Sequence, residues 1–221
     1  MDFDFLSKTD LFKGIAQNDI EELINRFGCG EKTYNKGDII FRRGTNILRM
    51  GIVLSGSVNM VMDHSWGASS IFERTERGCM FGGAYATIPN NHLLCDMIAA
   101  EDCKVLFLDT HMILTIRENR PAALDDVIYN IVNIAAEKCL GLAARMMHTA
   151  SHSLRHRIMS YLAEQAMING SNKFRLPFGR QQMADYLNAD RTAICHELSR
   201  MKKEKLINYH KFDFEIFFCN R

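Results

Sequence analysis

The chain has 221 residues, 47% of them hydrophobic, enough to fill two modest cores or one large one. Its 27 lysines and arginines nearly cancel 26 aspartates and glutamates, so the formal net charge of +1 says nothing about a nucleic-acid partner. No run of about 18 apolar residues is present, which argues against a membrane span, and the acidic opening MDFDFLSKTD lacks the basic region of a secretory signal.

The distribution of charge is more informative than its sum. Residues 1–150 hold 15 Lys/Arg against 19 Asp/Glu, and residues 151–221 hold 12 against 7, so a basic C-terminal third follows a mildly acidic body. That asymmetry suits a polyanion-binding module joined to another domain. Seven cysteines, at 29, 79, 95, 103, 139, 195 and 219, form no CxxC pair and no compact ligand cluster, and read as free thiols of a reducing cytoplasm.

Residues 9–27 carry Leu11, Phe12, Ile15, Ile20, Leu23, Ile24 and Phe27 at mostly helical spacing, with Asn18 a cap for the second part and Glu21 three residues on. From Thr33 to Asp109 short apolar runs (DIIF, MGIVL, SVNMVM, SSIFE, CKVLFL) alternate with glycine-rich corners, the pattern of an antiparallel roll or barrel. After Pro121 glycine nearly vanishes, and a helix of roughly 27 residues, about 40 Å long, is predicted. Leu124, Val127, Ile128, Ile131, Ile134, Ala135, Leu142 and Met146 mark one face of it at near-heptad spacing, which predicts a dimer seam; the alternative is burial in its own chain. Ser153 is the best N-cap before LRHRIMSYLAEQA, INGSNKFRLPFG reads as a loop or short hairpin, and INYHKFDFEIFF alternates as one or two strands. His148, His152 and His156 are spaced for a zinc-binding face, but the break at 149–153 spoils the register, and solvated hinge histidines are expected.

Between these segments lie two short helices, Arg180 to Leu187 and Arg191 to Glu204, joined by the polar break Asn188-Ala189-Asp190. Met183, Ala184 and Leu187 give the first a buried face; Ile194, Leu198 and Met201 do so for the second. Arg191, Thr192, Cys195, His196 and Ser199 remain on the opposite side, where a recognition helix meets base edges. Arg191 suits a bidentate pair with guanine, and Arg200, Lys202, Lys203 and Lys205 lie where phosphates would be neutralised.

GRQQMADYLNADRTAICHELSRMKKEKLI resembles the winged helix-turn-helix of the Crp/Fnr transcription regulators, with Gln182 departing from an acidic position of that signature. GDIIFRRG, IVLSGSVNMV, FGGAYATIP and IAAEDCKVLFLD resemble that family's cyclic-nucleotide-binding-type β-roll. The resemblance covers nearly the whole chain and keeps the family's order of parts. It implies an α+β fold: residues 1–120 an antiparallel β-roll (double-stranded β-helix or jelly roll) sensor, 121–150 a dimerisation helix, and 151–221 a winged helix-turn-helix.

The departures carry equal weight. Gly83 stands where cyclic-nucleotide-responsive members have the ribose-binding glutamate, and Leu93-Leu94 where an Arg-Ser pair holds the cyclic phosphate. An anion buried against two leucines lacks compensating charge, so cAMP in the familiar mode is disfavoured. With only Cys29 near the N-terminus, an iron–sulfur cluster is disfavoured too. A haem or thiol sensor would draw on His64, Cys79, His92 and Cys95, each of which reads better as a packed or surface residue. Cys195-His196 replaces the family's frequent Ser-Arg or Gly-Arg, and Thr192 replaces the glutamate of members that read TGTGA or TTGAT half-sites.

These features predict a homodimer through residues 121–148 on a palindromic operator in double-stranded DNA, with no cofactor or membrane, and RNA polymerase as a candidate partner. Expected DNA contacts are Arg180, Gln181, Arg191, Thr192, Cys195, His196, Ser199, Arg200, Lys202 and His210. The expected effector pocket, neutral or simply empty, is Gly82, Gly83, Ala84, Tyr85, Leu93 and Leu94. The rival reading is a signal-binding protein whose C-terminal module docks protein. No nucleophile–base pair, metal triad or phosphate loop points to an enzyme, and the glycines of GCMFGG lack the strand-to-helix setting of a dinucleotide site.

Overall fold

In the computed structural model, which describes residues 1–63 and 69–217, the chain opens with helix α1 (Phe3–Ser7), a 3₁₀ turn (Asp10–Phe12) and α2 (Gln17–Phe27). The helical pattern of residues 9–27 is thus broken at Gly14, whose φ of +83° a side chain would resist. Ala16, not Asn18, is the N-cap of α2. Strands β1 (Gly28–Tyr34), β2 (Ile39–Phe41), β3 (Arg49–Ser55), β4 (Val58–Asp63), β5 (Ser69–Thr75) and β6 (Met80–Phe81) follow. Helix α3 (Gly83–Thr87), β7 (Asp96–Ala99), β8 (Cys103–Asp109) and α4 (Thr110–Thr115) complete the first part.

Two antiparallel sheets result, ordered β1-β8-β3-β6 and β2-β7-β4-β5. The period-two alternation of β3 and β8 makes two cores from one sheet. Val53, Val105 and Phe107 pack with Val58, Met97 and Ala99 of the second sheet inside the roll. Met50, Ile52, Leu106 and Leu108 face the other way, against α2 and the N-terminal segment. Gly51 is required where it stands, since a Cβ there would lie 2.4 Å from the Phe81 ring. Strand β1 carried almost no hydrophobic signal because it is a sheet edge: of GCGEKTY only Tyr34 is buried.

The chain divides into two units, Met1–Ala136 and Glu137–Arg221, and helix α5 (Leu124–Thr149) belongs partly to each. Its residues sort differently from the predicted seam. Leu124, Val127 and Ile131 are buried in the first unit's own core, with Ile128 and Ile134 packed against it. A different stripe, Tyr129, Val132, Ala136, Leu140, Ala143 and Met147, is exposed at steps of three and four residues. By length and composition α5 is also long and apolar enough to cross a membrane, which a search for an unbroken apolar run missed.

The second unit continues with α6 (Leu154–Ile168), β9 (Lys173–Arg175), α7 (Arg180–Tyr186), α8 (Arg191–Lys203), β10 (Ile207–His210) and β11 (Asp213–Ile216). Part of the segment read as a loop or hairpin forms β9, which pairs antiparallel with β11 to give the order β10-β11-β9. Ile158, Tyr161, Leu162, Met183, Leu198 and Phe214 are among the residues of its core. Ser153 is the N-cap residue of α6, although its hydroxyl makes no capping bond.

Candidate nucleic-acid interface

The geometry of α7 and α8 is set by small, local chemistry. Met183, Ala184, Leu187, Ile194, Leu198 and Met201 are fully buried, and Ala184 leaves room for the close crossing. Asn188 takes a left-handed φ of +50°, which turns the chain between the helices. Asp190 then caps α8, accepting from Thr192 N at 2.7 Å and Ala193 N at 3.0 Å. The backbone N–H groups of Ala193 and Thr192 hold its carboxyl below the usual range. Gln182 Oε1 accepts from Gly179 N at 3.0 Å, a helix-start role that an amide performs as well as an acid.

Three arginines outside the predicted contact set fix this pair of helices. Arg157 Nη1 donates to the carbonyls of Leu187 and Asn188, at 2.7 and 2.9 Å. Arg145 donates to those of Tyr186 and Asp185, at 2.9 and 2.7 Å. Together they satisfy the carbonyls at the end of α7 and in the turn. Arg155 reaches from α6 to α8, bonding Glu197 at 2.6 Å and Glu204 in bidentate fashion. The sequence offered only a basic LRHR run as a hint of these struts.

His148 departs from the expected solvated hinge. It is 3% exposed, with Nδ1 2.9 Å from the Tyr186 hydroxyl and Nε2 3.3 Å from a Glu164 carboxylate oxygen. The other two histidines of that spacing, His152 and His156, are exposed.

The predicted contact residues separate into free and committed groups. Arg191 and His196 are exposed and make no hydrogen bond or ion pair among the described residues; Thr192 is exposed, and Cys195 is half-buried. Gln181 is exposed but bonds Asp185 at 2.9 Å. Arg180 is a strut: it donates to Lys211 O at 2.9 Å and lies over the rings of Tyr209 and Phe214. Burial lowers its pKa. Ser199 donates back to Cys195 O, Lys202 donates to Tyr209 O, and Arg200 pairs with Glu204. His210 is exposed at the end of β10. Lys211, in the β10–β11 turn at φ +54°, is an exposed cation beside it that sequence reasoning passed over.

In the first unit, Gly82 adopts φ +75° as the N-cap of α3, and Gly83 is buried. A Cβ on Gly83 would lie 2.6 Å from Met80 Cε, the free end of a flexible side chain. Ala84 is exposed and Tyr85 is half-buried against the roll core. Leu93 is 2% exposed inside that core, whereas Leu94 is 65% exposed, so the two leucines do not line one pocket. Cys95 is buried, which pushes its thiol up; Cys79 and His92 are exposed, and His64 and Cys219 lie outside the described residues. No group of three His, Cys, Asp or Glu among the described residues could hold a metal ion.

Residues 31–120 match the cyclic nucleotide-binding domain family, and residues 156–219 match the Crp-like helix-turn-helix domain family. No curated protein matches the chain. Among solved structures, CprK in complex with OCPA superposes with a TM-score of 0.64 at 12% identity, covering 90% of this chain and 91% of that one. The c-di-GMP-responsive global regulator CLP of Xanthomonas campestris gives 0.57 at 14%, covering 92% and 100%. The N-terminal domain of a Streptomyces coelicolor A3(2) transcriptional regulator gives 0.52 at 18%, covering 63% and 95%. At such identities the structural likeness speaks for fold alone. The family models, matching a sensor-type roll and a Crp-like reading module in that order, carry the assignment: the chain belongs to the Crp/Fnr family of transcription regulators.

Proposed function

We propose that this regulator acts as a homodimer whose two α8 helices enter successive major grooves of a palindromic operator, about 34 Å apart. The observation that carries the reading is the group Arg191, Thr192 and His196: exposed side chains on the first turns of a capped, rigidly strutted helix. Arg191 matches the O6/N7 edge of guanine, and His196 suits a base acceptor or phosphate. Arg180 and Lys202 take a supporting part, holding the β10–β11 hairpin, while His210 and Lys211 reach the backbone. Cys195 and His196 set the half-site apart from those read by Arg-bearing relatives.

The exposed stripe of α5 supports the dimer. Glu137 and Lys138 sit near the middle of that helix, where a bilayer would oppose two charges, so a second copy is the better cover. A cyclic nucleotide bound in the familiar mode is disfavoured: Gly83 carries no side chain for a ribose, and Leu93 is buried in the apolar roll core.

Fluorescence anisotropy on DNA from the regulator's own promoter region tests the proposal. Arg191→Ala and His196→Ala should each weaken binding by about 1–3 kcal/mol while light scattering still finds a dimer. Failure of the wild-type protein to bind that DNA, with or without cell extract, would reject it. Retention of a protein partner unaffected by either substitution would instead favour a docking module.

A further inference from the structure

A cleft of the first unit lies away from Gly82–Tyr85 and Leu93–Leu94. It measures about 650 Å³, between β1 and the segment that leads from β2 to β3, within the size range of small-molecule sites. Its floor is apolar, from Ile40, Phe41, Ile47 and the edge of Phe107. Its rim is cationic. Lys32 Nζ stands 4.9 Å over the Tyr34 ring, Arg49 lies 5.9 Å over Phe107, and Arg42 is exposed at the mouth.

The rim carries more positive than negative charge. Glu31 is the single carboxylate lining the cleft, and it pairs with Lys104 outside it. Asp109, opposite Arg49 in the β3–β8 ladder, puts one carboxylate beside the three cations; it also accepts from Met112 N at 2.8 Å as the cap of α4. Arg42, Arg49 and Lys32 form no ion pair among the described residues. Burial pushes the Cys29 thiol and the Tyr34 phenol up, so neither adds negative charge near neutral pH. Two of the three cations are already held over aromatic rings, which lowers the ordering an anion must impose on them.

We propose that this cleft binds a small organic anion that carries a ring: a carboxylate or phosphate held by Arg42, Arg49 and Lys32, with the ring on Phe41 and Ile47. The proposal concerns the sensor unit alone and stands or falls independently of DNA binding.

Isothermal titration of the full-length protein, without DNA, tests it. The probes are benzoate, 1-naphthoate and phenyl phosphate; acetate, inorganic phosphate and benzyl alcohol lack either the ring or the charge. At least one ring-bearing anion should bind with Kd below about 1 mM, and each control about tenfold or more weaker. Arg42→Gln and Arg49→Gln should each weaken the ring-bearing anion by about threefold to tenfold. Arg42 is exposed, so its variant should keep the wild-type melting midpoint and remain informative if Arg49→Gln unfolds. No binding by any of the three ring-bearing anions overturns the proposal. So does equal binding of acetate and inorganic phosphate, or affinity unchanged in Arg42→Gln.

Discussion

Asp190 and His148 hold the reading head in place by different means. Asp190 is an exposed cap whose carboxylate is favoured by two backbone N–H donors, so its folded-state pKa is depressed. Its contribution is therefore present above the ordinary carboxylate range and is lost as pH falls through the folded value. Asp190→Ala should lower the urea midpoint near pH 7, and the gap to wild type should shrink near pH 3, measured by circular dichroism. His148 works by burial instead. His148→Leu would leave Tyr186 and Glu164 without their partner, costing about 1–3 kcal/mol in urea unfolding. His152→Leu, at an exposed position, should change little. Nothing in the spacing of the three histidines distinguished the buried one, because the partners come from α6 and α7.

Helix α5 shows how one amphipathic pattern can serve two surfaces. Its inner stripe, Leu124, Val127 and Ile131, is spent in the first unit's own core, and its outer stripe, from Tyr129 to Met147, is left exposed. Sequence periodicity found a long apolar helix but drew its seam across both faces: Leu124, Val127 and Ile131 are buried in the first unit, whereas Ala135, Leu142 and Met146 are exposed. The two stripes predict opposite phenotypes. Leu140→Lys should yield a folded monomer by light scattering, with a melting midpoint at or below that of wild type. Ile131→Lys buries a charge in a core and should destabilise the first unit by about 3 kcal/mol or more. Edge strand β1 marks the converse failure: its pairing with β8 supplies backbone hydrogen bonds to a segment with almost no apolar residues to announce it.

Over the whole molecule, charge is divided by role: the basic C-terminal third carries the reading head and the acidic remainder carries the roll. If the head neutralises phosphates, affinity must fall steeply with salt. Lys203 is exposed on the face of α8 that also carries Thr192 and His196, whereas Lys202 is tied to Tyr209 O. Lys203→Ala should reduce the slope of log affinity against log salt by about 1 per recognition helix, and Lys202→Ala by less, read from anisotropy titrations. By itself the sequence determined the order of the parts, the antiparallel roll, the long helix and the helix-turn-helix with its exposed Arg191, Thr192 and His196. Each of these follows from local periodicity, caps and turn residues, which act over a few neighbours. Only the tertiary structure decided that Arg180 and Lys202 are struts, that Leu93 and Leu94 part company, and which stripe of α5 stays bare. Those outcomes depend on contacts between segments far apart in the chain, and a side chain's local pattern does not say what another element will place against it.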